Sequence, residues 1–496
     1  MSTSTDHISE HEHRLQKVKD LEAAGTPAYE SVSYERSHSL AQVLSEFASL
    51  EPGEKAETEI SVAGRIVAKR GHGKASFGNL RDDSGDCQYY AKSEELGEIY
   101  DKLIGVDVGD IIGIRGTVFC SKRGQITIRV QEFELLAKAL NPLPEKFHGL
   151  QDKEQRYRQR YVDLIVNPEV KETFKLRSKV TRSIREFLDD QGYIEVETPV
   201  LQSIYGGASA RPFETHHNEL GQDLYLRIAL ELPLKRLIVG GFEKVFEIGR
   251  VFRNEGVSYK HNPEYTLLEL YQAYSDYHEI MVLTETLISK LVKDVHGTTT
   301  ITYQGVELCF DTPFRRVTLR DLILEHADID IQTADAQALY DRAKALDLDV
   351  PDTPHKGECM NLIYDKFVEP TLIQPTFVMD YPWESSPLAK RDPKNPDFCQ
   401  RFECIINGME LANAFSELND PIDQAERFED QKRAKEAGYD EAHEVDDDFV
   451  EALKYGMPPT GGLGIGIDRL VMLLADAPSI RDVIFFPHMK KKGEGA

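Results

Sequence analysis

Long apolar runs are missing from this chain. Nowhere in its 496 residues is there anything near the ~20 consecutive apolar residues that a membrane-spanning helix needs. The amino-terminal MSTSTDHISEHEHRLQ has no apolar core and does not read as a secretory signal. Cysteine is scarce. Cys87, Cys120, Cys309, Cys359, Cys399 and Cys404 are scattered and form no CxxC pair, which favours free thiols in a reducing cytoplasm and argues against a structural zinc. Basic residues are in deficit, 59 against 85 acidic ones, for a formal net charge of −26. Phosphate neutralisation supplies much of the affinity for nucleic acid, so this total argues against a nonspecific DNA-coating protein. It still permits a basic patch on an acidic body. Residues 60–81 offer one, with Arg65, Lys69, Arg70, Lys74 and Arg81 and no acid among them.

A chain of this length exceeds a single core, so two or three domains are expected. Its 41% hydrophobic and 29% charged residues fit a globular protein. Residues 9–24 read as a charged helix stopped by Gly25 and Pro27. From Ile60 to Ala137, short β-rich runs alternate with turn signals such as Asp83-Ser84-Gly85 and Arg123-Gly124. Roughly five strands in so short a span, with basic residues and aromatics, predict an OB-type barrel able to stack single-stranded bases. Phe77 is either a stacking ring or a core residue, and Gln88 could read a base edge through its amide. Asn141 to Asp152, rich in proline and glycine, reads as a linker.

Beyond the linker, EQRYRQRYVDLI reads as a helix, and a longer one runs from Glu169 to Gln191. In the second, Val170, Phe174, Val180, Ile184, Phe187 and Leu188 recur at helical spacing, and Gly192 stops it. YIEVETPVL then reads as a strand interrupted by Pro199. YGGASARP (205–212) is a loop where backbone can approach a small ligand, or a plain turn. After it, a strand runs into a helix with Glu231 at its start, where Pro233 is tolerated in the first turn. Between about residues 312 and 370 the pattern turns helical and shows no chemistry of its own. The acidic stretch 441–453 reads as a solvated helix face, since its spacing is wrong for a calcium loop.

Three stretches carry the chemistry. Residues 245–274 read as an antiparallel hairpin. Phe246, Ile248, Leu268 and Leu270 lie on its apolar side, and Glu247, Arg253, Tyr265, Glu269 and Tyr271 on the other, with Arg250 breaking the apolar pattern. Residues 401–419 form a second hairpin about the Asn407-Gly408 turn. A two-residue loop sets Glu403 opposite Ala412 and makes Glu403 and Glu410 diagonal neighbours roughly 7–8 Å apart. Two such carboxylates suit hard cations on phosphate oxygens, or simply face solvent. Strict alternation sends Asn413 and Glu417 to the face opposite Glu410, so one shared pocket requires a bulge. Finally, PPTGGLGIGIDRLVMLL is a glycine-rich strand feeding a helix that carries Arg469. It lacks the preceding apolar strand and the later acid of a dinucleotide fingerprint.

These stretches resemble the class II aminoacyl-tRNA synthetases. The helix and strand around 169–201 are similar to motif 1, FRNEG…HNPE to motif 2, and GLGIGIDR to motif 3, while the wording FRNEG…HNPE…ELY resembles the lysyl-tRNA synthetases of bacterial type. Pro233 and Trp383 depart from the family's pattern, outside the motifs. The resemblance implies an α+β chain: a helical extension over 1–58, an OB-fold anticodon-binding barrel over 59–140, a linker over 141–152, and a catalytic domain over 153–496. The catalytic domain would be an antiparallel sheet flanked by helices, with the insertion at 312–370. The implied reaction joins L-lysine to ATP as lysyl-adenylate and transfers lysine to tRNA(Lys). It also implies a cytoplasmic homodimer, formed through motif 1, that has no membrane and no DNA among its partners.

By the same resemblance Arg253 contacts the α-phosphate and Arg469 the γ-phosphate end. Tyr265 underlies the adenine, and Glu255, His261 and Asn262 contact the nucleotide. Glu403 and Glu410 hold Mg²⁺, more than one ion. Gly207 and Glu231 receive the α-amino group, and Tyr271, Asn413 and Glu417 the ε-ammonium. Phe77, Gln88 and Glu132 contact the anticodon, and the N-terminal helix helps to hold tRNA. An acceptor-rich pocket suits a cationic side chain, because a partly buried ammonium is costly unless paired with carboxylate. Three other readings stand beside this one: a relative activating aspartate or asparagine, a paralogue that lysylates protein (such relatives lack the barrel), and a nonenzymatic RNA-binding module.

Overall fold

A computed structural model describes residues 9–144, 150–350, 356–436 and 445–490. Residues 145–149 of the predicted linker 141–152, the start of the acidic stretch at 441–444 and the last of the lysine-rich tail lie outside the described residues. The chain divides into two compact units, 1–151 and 152–496.

The first unit opens with helix α1 (Glu10–Ala23), whose start is fixed by a capping box between Ser9 and Glu12. Strands β1 (Lys55–His72), β2 (Ala75–Arg81), β3 (Asp86–Lys92), β4 (Ile111–Cys120) and β5 (Ile126–Ala137) close into a barrel in the order β1-β2-β3-β5-β4. Ile60, Val62, Leu80, Tyr89, Ile112, Ile114 and Ile128 fill its interior. Strand β1 starts ahead of residue 59, so the amino-terminal segment is only partly helical.

The second unit is built on an eight-stranded sheet. Its strands are β6 (Ile194–Glu195), β7 (Lys244–Phe252), β8 (Glu264–Ala273), β9 (Arg315–Thr318), β10 (Thr376–Pro382), β11 (Phe398–Ile405), β12 (Glu410–Ser416) and β13 (Thr460–Gly466). They lie side by side as β9-β10-β11-β12-β13-β8-β7-β6. All pairs are antiparallel except β9 with β10 and β6 with β7 at the two edges. One face packs on helices α2 (Glu169–Asp190), α4 (Tyr277–His296) and α5 (Ile467–Leu474), and α3 (Glu231–Val239) belongs to a separate core against the other face. Helix α2 buries the same six residues its spacing selects, each worth about 1.5–3 kcal/mol when fully removed from water. Gly192, at φ +81°, turns the chain out of it.

The helical segment expected at 312–370 starts with a strand, β9, which extends the main sheet. Its helices Leu319–Ala327, Ala336–Ala345 and Lys356–Ile363 enclose a core of their own with Val378, Phe398 and Ile405.

Candidate active site

Alternation along the central strands sorts the side chains. Phe246, Leu268, Leu270, Phe402, Ala412, Ala414, Leu463 and Ile465 go to the helix-covered core. The opposite face is a cavity of about 430 Å³. Its floor is made by register: Tyr271 lies beside Gly462, and Glu269 beside Gly464, on β8 and β13. On the other side of β13, Phe415 lies beside Gly462 and Asn413 beside Gly464. A side chain on β13 would fill the cavity, and at Gly462 a Cβ would stand 1.9 Å from Glu417 Oε1.

Arg253 and Arg469, far apart in sequence, both line this cavity. Arg253 follows the end of β7, where its N–H donates to Pro263 O at 2.8 Å and closes the loop between β7 and β8. Its guanidinium lies 5.4 Å from the Tyr265 ring centroid. Arg469 is held by its neighbour: Asp468, buried, accepts from Thr266 N–H at 2.6 Å and from Arg177 Nη1 at 2.5 Å. Arg469 Nη1 donates to Glu410 O at 2.6 Å and to its Oε2 at 3.3 Å, and Nη2 lies 3.3 Å from His261 Nε2. A guanidinium only donates, so Nε2 accepts and the ring proton sits on Nδ1, 2.8 Å from Ser258 Oγ. Burial and then the Arg469 charge push His261 down to about 4, which keeps it neutral.

At the far end the cavity is acidic. Glu231 opens α3 and is buried, as are Glu417 and Glu269. Gly207, at φ +84°, brings its backbone to this end, where Ala229 and Glu231 leave no slack for a Cβ. Gly207, Glu231, Arg253, Glu255, His261, Asn262, Tyr265, Tyr271, Glu410, Asn413, Glu417 and Arg469 all line one cavity.

The second hairpin departs from its expected register. Glu403 pairs with Asn413, not Ala412, because the register shifts between Cys404 and Ile405 and leaves Leu411 extra. That bulge lets Glu410 share a cavity with Asn413 and Glu417. Glu403 itself does not line the cavity. Arg401 Nη2 caps it at 2.6 Å, and burial followed by the opposing pulls of Arg401 and Glu410 leaves it raised to about 7. The insertion, read as lacking chemistry, brings Glu369 close enough to feel Lys260, Glu403 and Glu410, and Glu369 lies 3.9 Å from Lys260 Nζ. Among the described residues no three acid, histidine or cysteine groups converge on one metal position. Mg²⁺ is suited to one or two carboxylates plus substrate phosphates, so an oxygen set of Glu410 with Glu403 behind it fits that ion.

Sequence reasoning missed Lys235, which is buried between Glu231 and Glu417, and Arg401, whose Nε also donates to Asn413 Oδ1 at 3.2 Å. Its one visible signal was the i,i+4 spacing of Glu231 and Lys235.

On the barrel, Phe77 is 37% exposed, so it is not a core residue, and its ring lies 4.8 Å from that of Tyr90. Gln88 is on the same outer face, with Oε1 accepting from Thr127 Oγ1 at 3.0 Å. Glu132 is exposed further along β5, paired with Arg115. The expected basic patch is thinner than its sequence. Arg65 donates to Gly109 O at 2.7 Å, Lys69 donates to Val106 O at 2.7 Å, and Arg81 pairs with Asp86, so these cations serve the barrel. Arg70 and Lys74 remain exposed.

Comparison with known proteins agrees with this architecture. Residues 152–490 match the family described as tRNA synthetases class II (D, K and N), and residues 60–136 match the OB-fold nucleic acid binding domain. A lysine–tRNA ligase of Thermoanaerobacter sp. (strain X514) is 54% identical over 100% of both chains. Those of Carboxydothermus hydrogenoformans and Bacillus subtilis are 55% and 52% identical, each over 97% of both chains. With two family domains in sequence and full-length relatives at this identity, the chain belongs to the class II aminoacyl-tRNA synthetases and, within them, to the lysine–tRNA ligase family.

Proposed function

We infer that the chain activates L-lysine with ATP, forming lysyl-adenylate and pyrophosphate, and transfers lysine to the terminal ribose of tRNA(Lys) with release of AMP. The observation that carries this reading at the site is the meeting of Arg253 and Arg469 in one cavity that ends in the buried carboxylates Glu231 and Glu417.

The nucleophile is the substrate's own carboxylate, so the protein's contribution is positioning and charge neutralisation. Arg253 draws the amino-acid carboxylate and the α-phosphate together and offsets the charge gathering on phosphorus. Arg469 holds the γ-phosphate end. Tyr265 supports the adenine, and Glu255, neutral His261 and Asn262 contact the nucleotide. Glu403 and Glu410 would hold Mg²⁺, which when bound neutralises phosphate charge. Glu231 and the Gly207 backbone take the α-amino group, and Glu417, Tyr271 and Asn413 the ε-ammonium. Phe77, Gln88 and Glu132 would meet the anticodon. Homodimerisation is supported by exposed Ile194, Val200 and Leu201 after α2, and by Phe485, which stacks on Phe174 at 3.7 Å yet stays half exposed. Six unpaired cysteines support a reducing, cytoplasmic setting.

ATP–pyrophosphate exchange against a panel of amino acids tests the reading: exchange with lysine alone is expected, and exchange with aspartate or asparagine instead would overturn it. In the same assay E417Q is expected to raise the KM for lysine about 100-fold while leaving that for ATP within about twofold. Equal weakening of both would remove Glu417 from the lysine pocket.

A further inference from the structure

Behind the acidic wall of the cavity lies an ammonium that belongs to the chain itself. Lys235, one turn after Glu231 on α3, is fully buried, with Nζ 2.5 Å from Glu231 Oε1 and ion-paired with Glu417 Oε2. The rings of Tyr271, Phe415 and Phe449 surround it at 6.0, 5.6 and 6.0 Å. Glu231 and Glu417 line the cavity but Lys235 does not, so its cation reaches them from the protein side. The ion pair with Lys235 occupies Oε2 of Glu417, while Oε1, also buried, has no hydrogen-bond partner among the described residues and lies against Gly462 on the cavity floor.

Buried carboxylates at this spacing resist ionising together. Glu231 from α3, Glu269 and Tyr271 from β8, and Glu417 beyond β12 all face the same small volume, and the Arg401 charge bears on Glu231 and that of Arg253 on Glu269. Burial by itself would strip the proton from Lys235, but Glu231 and Glu417 more than offset it and hold the ammonium charged.

We propose that Lys235 is a positioning residue for amino-acid selection: a resident ammonium that favours the ionised forms of Glu231 and Glu417 from behind and leaves each an oxygen for the substrate's own two ammonium groups. The inference rests on the assignment of Glu231 and Glu417 to lysine. Without Lys235 the two carboxylates share a proton at neutral pH, and the pocket loses the charge that attracts its substrate. Raising the pH removes that proton and restores the attraction.

The test is pyrophosphate exchange by the full-length enzyme from about pH 6.5 to about pH 9. K235M is expected to raise the KM for lysine about tenfold or more at about pH 7, to recover as pH rises, and to leave the KM for ATP within about twofold. The parent enzyme is expected to show a flat lysine KM over most of this range. The double variant E231Q/K235M removes the Glu231–Glu417 pair and leaves Glu417 with Glu269 alone, and is expected to bind lysine weakly with a smaller pH dependence than K235M. An unchanged lysine KM in K235M, a penalty equal at every pH, or a double variant as pH-dependent as K235M would each overturn the proposal. E417Q separates the two levels of inference. If it leaves lysine binding intact, the pocket assignment fails; if it impairs lysine binding and K235M does not, only the role of Lys235 fails.

Discussion

Glu269 sits on the cavity floor with its carboxyl accepting from the Leu230 N–H and the Tyr271 hydroxyl, both at 3.0 Å. Burial, then the nearby Glu231 charge, lifts it from 4.5 to about 7. The unfolded chain gives up this proton near 4.5 and the folded chain only near 7. The stabilisation is therefore complete below about pH 4.5 and lost as pH rises through about pH 7. E269Q, which keeps the shape without the charge, is expected to raise Tm by about 3 °C at about pH 8 and hardly at all at about pH 5. Calorimetry at the two pH values checks this, and an equal shift at both would mean that ionisation is not the cause. Residues of this kind show how far the sequence could be read. Arg253 and Arg469 stand in motifs and could be named beforehand. Lys235 could not, because lysine on a helix ordinarily faces water, and its burial depends on Glu417, which arrives from just past the end of β12, far along the chain.

Among the elements, β13 shows why glycine recurs on alternate positions. Gly462, Gly464 and Gly466 line the cavity while Leu463 and Ile465 fill the core. G462A puts a methyl into the space of the Glu417 carboxylate and the Tyr271 ring. It is expected to raise the KM for lysine at least tenfold or so, with a smaller change in Tm, as measured by exchange kinetics and thermal melts. A loss confined to Tm would show that the glycine serves packing alone. The hairpin 245–274 and helix α2 were legible because side-chain period alone defines them. The bulge at Leu411 was not. The Asn407-Gly408 turn gave the correct start, since Ile405 does pair with Glu410, but the slip arises further along, where β12 must satisfy β13 as well as β11. Likewise the basic run on β1 announced charge without announcing that backbone carbonyls would claim part of it.

For the molecule as a whole, the division into two units makes the two chemical steps separable by mutation. F77A removes an exposed ring from the barrel, which belongs to the first unit and not to the catalytic one. It is expected to leave lysine-dependent pyrophosphate exchange within about twofold and to raise the KM for tRNA about tenfold, in line with about 1–3 kcal/mol per stacked base. Unaltered aminoacylation kinetics would remove Phe77 from the tRNA contact. The order of strands in the large sheet has a consequence for synthesis on the ribosome. β13 lies between β8 and β12 although nearly two hundred residues of chain separate it from β8. A nascent polypeptide that has not yet emerged to residue 460 therefore carries two part-sheets, β6-β7-β8 and β9-β10-β11-β12, with open edges and no strand to join them. Such a fragment lacks both the glycine floor and Arg469, so a prematurely released chain could neither grip a triphosphate nor misactivate an amino acid.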